Sequence, residues 1–176
     1  MHPNRHSRLS SVRSGGLRLP LGLLALCLAA ALPARAQTST ATFSVTATVL
    51  PACTVVGGVP LAFGVVTPGV QRDGSVTVTA TCTLGTPYTL ALDAGTGSGA
   101  SVASRRMTSG SDTLDYTLYQ DAGRTTLWGD GTAGTSVRSS TGTGLAQTFT
   151  VYGRVPSSAV APVGSYTDTI TVTATY

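Results

Sequence analysis

The side chains able to do chemistry are few and unevenly placed. Both histidines, His2 and His6, lie at the extreme N-terminus, and beyond residue 36 the sequence contains no His, Lys or Glu. A Ser–His–Asp relay or a His-based zinc site therefore finds no imidazole in the body of the chain. The acids there are all aspartates, and no short motif presents two of them as a general acid and its base. Asp130 in WGDGTAG, with Asp121 before it, offers loop oxygens of the kind calcium takes. The stretch is no EF-hand loop, and turn formation explains both residues without a metal. GxxxxGK[ST] is absent, with no lysine to complete a phosphate loop. Trp128 and Tyr152 have the large faces a sugar platform uses; the competing readings are a packed loop anchor and a strand-surface aromatic. No enzyme, cofactor, metal or small-molecule substrate is expected.

The first residues explain much of the remaining charge. Arg5, Arg8, Arg13 and Arg18 precede the apolar run LGLLALCLAAALP, which is followed by ARA before Gln37. A basic start, an apolar stretch too short to span a bilayer comfortably and a small-residue site mark residues 1–36 as a secretory signal peptide. Cys27 has no convincing lipobox around it. The whole chain is formally +4, from 11 basic and 7 acidic residues. Five of those arginines lie in the leader, so the mature chain holds six arginines against seven aspartates. Its net charge of −1 is not the footprint of a nucleic-acid binder, and Arg105–Arg106 reads as a local surface pair.

Two cysteines, Cys53 and Cys82, remain after cleavage. An even pair in an exported chain suggests one disulfide. Closing a loop of about 29 residues would stabilise the fold by ~3–4 kcal/mol in the chain-entropy estimate.

Strand patterns hold these residues in place. Runs of alternating apolar and Thr/Ser residues occur at Thr42–Leu50, Val59–Phe63, Ser75–Leu84, Tyr88–Leu92, Leu114–Tyr119, Gln147–Val155 and Tyr166–Tyr176. Gly, Pro, Asp and Ser clusters separate them, and no window has a sustained helical stripe. The expected inward rows are Val76, Val78, Ala80 and Cys82; Tyr88, Leu90 and Leu92; Leu114, Tyr116 and Leu118; and Phe149, Val151, Gly153 and Val155. Ala94–Asp112 and Ala122–Ala146 are read as long loops or weak edge strands. The expectation is a single all-β antiparallel sandwich domain.

Seven ordered segments carry a resemblance: FSVTATVLPACTV at 43–55, LAFG at 61–64, VTATCTLGTPYTLALDAG at 78–95, LDYTLYQD at 114–121, WGDG at 128–131, FTVYGRVP at 149–156 and GSYTDTITVTATY at 164–176. Together they resemble the spore coat protein U and archaic chaperone–usher fimbrial subunit family. That resemblance implies an incomplete immunoglobulin-like sandwich, closed by a strand donated from the next subunit. It implies the Cys53–Cys82 disulfide, and places a signal peptide at 1–36, a donor segment at 37–50 and the sandwich domain at 51–176. Phe43, Val45, Ala47 and Val49 become the inserting row, and Ile170, Val172, Ala174 and Tyr176 the edge of the acceptor groove. The implied partners are like subunits in a homopolymer, a periplasmic chaperone and an outer-membrane usher. The implied location is the cell surface, as a fibre or coat serving adhesion or biofilm formation. A carbohydrate- or host-binding tip adhesin using Trp128 and Tyr152 is the alternative, against which stands the lack of a second N-terminal domain.

Overall fold

Threonine and small apolar residues alternate so regularly that side-chain direction settles most of the architecture. The computed structural model describes residues 35–176, so the proposed leader lies outside the described residues except for its last two positions. Two units are distinguished, dividing after Val45. Of the first, residues 35–45 are exposed and form no strand. The second, Thr46–Tyr176, contains all the strands found among the described residues.

Those strands are β1 (Cys53–Gly57), β2 (Arg72–Cys82), β3 (Pro87–Leu92), β4 (Arg105–Ser109), β5 (Asp112–Tyr119), β6 (Arg138–Thr141), β7 (Ala146–Val155) and β8 (Val172–Thr175). One antiparallel sheet has the order β1-β2-β7-β5-β4, the other β6-β3-β8. The inward rows expected from alternation form the core. Val78, Ala80, Cys82, Tyr88, Leu90, Leu92, Leu114, Tyr116, Leu118, Val151 and Val155 are all buried. The Thr-rich faces turn outward, where β-branching favours extended backbone and the hydroxyl is hydrated.

Arg105–Ser109 and Arg138–Thr141, within the two Gly/Ser/Thr-rich stretches, are short edge strands, one of the two forms expected there. Three differences from the sequence expectation share one cause, which is where pairing partners exist. Thr42–Leu50 has the alternation of a strand but forms none. Val59–Phe63 keeps its inward Leu61 and Phe63 but is not a paired strand. The run Tyr166–Tyr176 becomes β8 only over Val172–Thr175, where β3 pairs with it. Before that, Thr167 exchanges two backbone hydrogen bonds with Thr108 of β4, at 2.8 and 3.0 Å. The segment therefore crosses from one sheet to the other.

Cys53 and Cys82 are directly opposite in the β1–β2 register and are disulfide-bonded, as the sequence suggested. Arg105 supplies a second lock. Fully buried, it donates from Nε to the Asp93 carbonyl at 2.8 Å and from Nη2 to the Trp128 carbonyl at 2.9 Å. It thus ties β4 to the loops after β3 and β5. Burial pushes its guanidinium pKa down, while Tyr116 and nearby aspartates oppose that shift.

Asp73 and Arg154 are opposite in the β2–β7 register, and Arg154 Nε donates to Asp73 Oδ1 at 2.8 Å. This hydrogen bond is the main reason the Asp73 carboxyl lies below its usual 3.8. A depressed carboxyl contributes stability above its unfolded value and loses it as pH falls through the folded one. Urea midpoints measured from pH 5 to pH 2 should therefore drop more steeply in the parent than in Asp73→Asn; parallel curves would contradict the assignment. Replacing both disulfide cysteines by Ala should cost about 2–4 kcal/mol in the same assay, against less than 1 if the bridge were incidental.

Candidate functional site

A cleft opens where the two sheets fail to meet. After Gly57 the chain leaves β1 and runs as an irregular arm to Gln71, while the segment before β8 runs the other way on the far side. Between them lies a recess of about 430 Å³, with Val76, Val78, Leu92, Leu118 and Val151 in its floor and Ile170 and Val172 in one wall. A second recess of about 670 Å³ adjoins the first, with Leu61, Phe63, Met107 and Tyr166 lining both. The second is also lined by small and apolar residues, among them Val65, Val66, Ala159, Ala161 and Val163.

Each wall has a local reason to stand where it does. The arm side rests on glycines in the sheet. A Cβ at Gly153 would meet Phe63 Cζ at 2.8 Å and Leu61 Cδ1 at 3.0 Å, and one at Gly74 would meet the Ala62 carbonyl at 2.9 Å. Leu61 and Phe63 thus pack where β2 and β7 carry no side chain, and Phe63 reaches Tyr116 with ring centroids 5.9 Å apart. The other wall is held by Asp168. Its carboxylate accepts from Tyr116 Oη, Thr96 N and Thr169 N, each at 2.7 Å, and from Thr96 Oγ1 at 2.9 Å. It sits so close above Gly95 (φ +80°) that no side chain could be placed there. Burial, with the Asp168 hydrogen bond added, pushes the Tyr116 hydroxyl pKa far up, so Tyr116 stays a proton donor to Asp168.

The walls are firm on their outer sides and unpaired towards the groove. β1 and β8 are each the last strand of their sheet. Ile170, Val172 and Ala174 alternate with Thr169, Thr171, Thr173 and Thr175, yet none of the three is fully buried. An apolar floor between two extended segments can take up an extended strand.

The other residues singled out in the sequence separate cleanly. Ile170 and Val172 line the groove; Tyr176, 59 % exposed, lies beyond its end beside Tyr88 and Ser140. Phe43, Val45 and Val49 are 87, 83 and 80 % exposed, and Ala47 is exposed too. Trp128 is 1 % exposed, and its indole N–H donates to the Leu90 carbonyl at 3.0 Å. It is a core anchor with no face for a sugar, which corrects its reading as a glycan contact. Tyr152 is half-buried, with the Arg124 guanidinium 5.7 Å from its ring centroid. Asp121 accepts from the Thr125 and Thr126 amides, and Asp130 from the Thr132 amide and hydroxyl. Both are turn-formers, and their own loops hold their carboxyls below the usual range, through the Thr126 amide for Asp121 and the Thr132 hydroxyl for Asp130. Among the described residues no group of three His, Cys, Asp or Glu could hold a metal.

Sequence reasoning missed the arm of Leu61 and Phe63 as a groove wall, and Asp168 as its counterpart. One signal was available for each: Gly153 interrupts an otherwise bulky inward row, and Asp168 is the only acid in the last Thr-rich run.

Comparison with known proteins bears on the family and the fold. The chain is similar to the Protein U of Myxococcus xanthus, 38 % identical over 160 residues that cover 82 % of this chain and 88 % of that one. Its fold is similar to a chain in the crystal structure of the CsuC-CsuE chaperone-tip adhesion subunit pre-assembly complex from archaic chaperone-usher Csu pili of Acinetobacter baumannii. There the TM-score is 0.52 at 24 % identity, over 73 % of this chain and 40 % of that one, so this chain spans less than half that chain's length. The family model described as Spore Coat Protein U domain matches residues 39–173. This chain belongs to the spore coat protein U domain family.

Proposed function

We propose that the protein is a structural subunit of a bacterial surface fibre or coat, in which each copy closes its sandwich with an N-terminal strand from another copy. The observation that carries this reading is the groove itself: an apolar floor between two strand edges, in a chain whose own alternating N-terminal segment is exposed. Phe43, Val45, Ala47 and Val49 supply one apolar side chain every second residue, the period at which a strand fills such a groove. Thr42, Ser44, Thr46 and Thr48 then face solvent. Main-chain hydrogen bonds to both edges supply affinity, and the inserted row supplies register. Burying that row contributes roughly 5–8 kcal/mol before the cost of ordering the segment.

An open apolar groove is a hazard before assembly, because unpaired strand edges aggregate. A transient occupant is therefore part of the reading: a periplasmic chaperone first, then an outer-membrane usher at which exchange takes place. The Csu structure, a chaperone bound to a subunit, supports such a partner. Export through the periplasm fits a disulfide-bonded chain with an apolar leader. A shaft or coat role is favoured over a tip adhesin, since Trp128, one of the two aromatics that motivated glycan binding, lies in the core.

Deletion of residues 38–50 tests the donor. The truncated chain should form no denaturant-resistant multimers, and a synthetic peptide of residues 38–50 should bind it and raise its unfolding midpoint, whereas a scrambled peptide does neither. Undiminished polymerisation of the truncated chain would remove the donor role from this segment.

A further inference from the structure

The domain has two poles, and each carries apolar loops without a charged residue, although Arg72, Asp73 and Arg154 lie in the strands beside the second. At the Cys82 end of β2, the loops bearing Leu50, Leu84 and Leu145 are joined by backbone contacts. Thr83 donates to the Ala52 carbonyl at 2.9 Å, Thr83 Oγ1 to the Leu50 carbonyl at 3.3 Å, and Gly144 to the Cys82 carbonyl at 3.0 Å. Yet the three leucines are 72, 76 and 73 % exposed. At the opposite end, where Arg72 pairs with Val155, the loops 64–70 and 156–165 expose Val65, Val160 and Val163 at 80, 79 and 108 %. No charged residue occurs in those two loops, nor in residues 50–53, 83–86 or 142–145. Apolar surface without charge is what the buried centre of a protein interface looks like.

We propose that these poles dock head to tail: the Leu50/Leu84/Leu145 pole of one copy seats on the Val65/Val160/Val163 pole of the next. The inference rests on the donor-strand reading and adds a second contact to it. Its basis is the length of the link. Only Leu50, Pro51 and Ala52 separate Val49, the last residue of the inserting row, from Cys53 in β1. Fully extended, four residue steps reach at most about 14 Å. Pro51 fixes its own φ and restricts Leu50, so the link is stiff as well as short. With Val49 seated in a neighbour's groove, the donor's Cys82 pole is thus held against the acceptor.

Polarity follows from closure. If the link met the neighbour at its own Cys82 pole, like poles would face each other and two copies could exchange donors and stop. Unlike poles leave one donor and one groove free at the ends, which is the heterologous contact a fibre needs. The recess beside Val65 and Val163 lies at the pole this requires. Val49 then sits nearest that recess, with Phe43 deeper, towards Gly57 and Val172. Docking the two apolar ends restrains bending at each joint.

Full-length chains carrying Leu84→Cys and Val163→Cys together, assembled into surface fibres and treated with a short bis-maleimide, should give a ladder of covalent multimers on denaturing gels. Either substitution alone should give none. Fibres that need residues 38–50 but yield no ladder would overturn the docking while leaving the donor reading intact. Covalent dimers from Leu84→Cys alone would overturn its polarity. Fibres that persist without residues 38–50 would instead sink the donor reading and, with it, this inference. A variant without new cysteines gives an independent readout: Leu84→Asp with Leu145→Asp should still assemble but lose straight segments in electron micrographs. Unchanged curvature would count against the docking.

Discussion

Two strand edges that face one apolar groove impose a demand the rest of the structure answers. Backbone N–H and C=O groups beside an apolar floor must be paired or hydrated, and the side chains between them gain by being covered. An antiparallel sheet usually solves this with its next strand. Here β1 and β8 each end their sheets, and among the described residues neither has a further strand beside it. The fold is stable enough to hold this open shape because its fixed points lie elsewhere. The disulfide joins β1 to β2, Arg105 ties β4 to two loops, and the β2–β7 pair runs through the centre of the larger sheet.

Keeping a groove open takes as much structure as filling one. Flexible walls would collapse onto the apolar floor, trading specificity for burial. Gly74 and Gly153 prevent this on one side by letting Leu61 and Phe63 lie flat on the sheet. Asp168 prevents it on the other, bound at once to a core tyrosine and to the loop after β3. Its neighbour Thr167 is bonded to β4, and Thr171 donates to Asp93. The wall is therefore tethered along its outer side, and its inward row stays available. Pre-organisation of this kind lowers the ordering cost that an incoming strand would otherwise carry.

Much of this was legible in the residues. Period-two alternation located β2, β3, β5 and β7 and their buried faces, because both faces of those strands meet simple environments. The cysteine pair was readable from its number and compartment. Edge strands were legible only as an alternative to loops: Arg105–Ser109 and Arg138–Thr141 contain little apolar alternation, and each is placed by a neighbouring strand. Val59–Phe63 had the right pattern for a strand and became a groove wall, because pattern reports which side chains go inward and not whether a partner is present. Trp128 shows the same limit. Its type and setting left a sugar platform and a packed loop anchor both open, and the Leu90 carbonyl that accepts its indole N–H goes with the buried anchor.

The central claim is that the strand completing each sandwich comes from another copy. The most direct measurement is a cryo-electron-microscopy map of the assembled surface fibre at side-chain resolution. The account predicts continuous density from Cys53 of one subunit through Pro51 into the groove of its neighbour. Phe43, Val45, Ala47 and Val49 should point at the floor formed by Val78, Leu118 and Val151. Density showing residues 43–49 folded into the groove of their own subunit, or lying outside every groove, would contradict it.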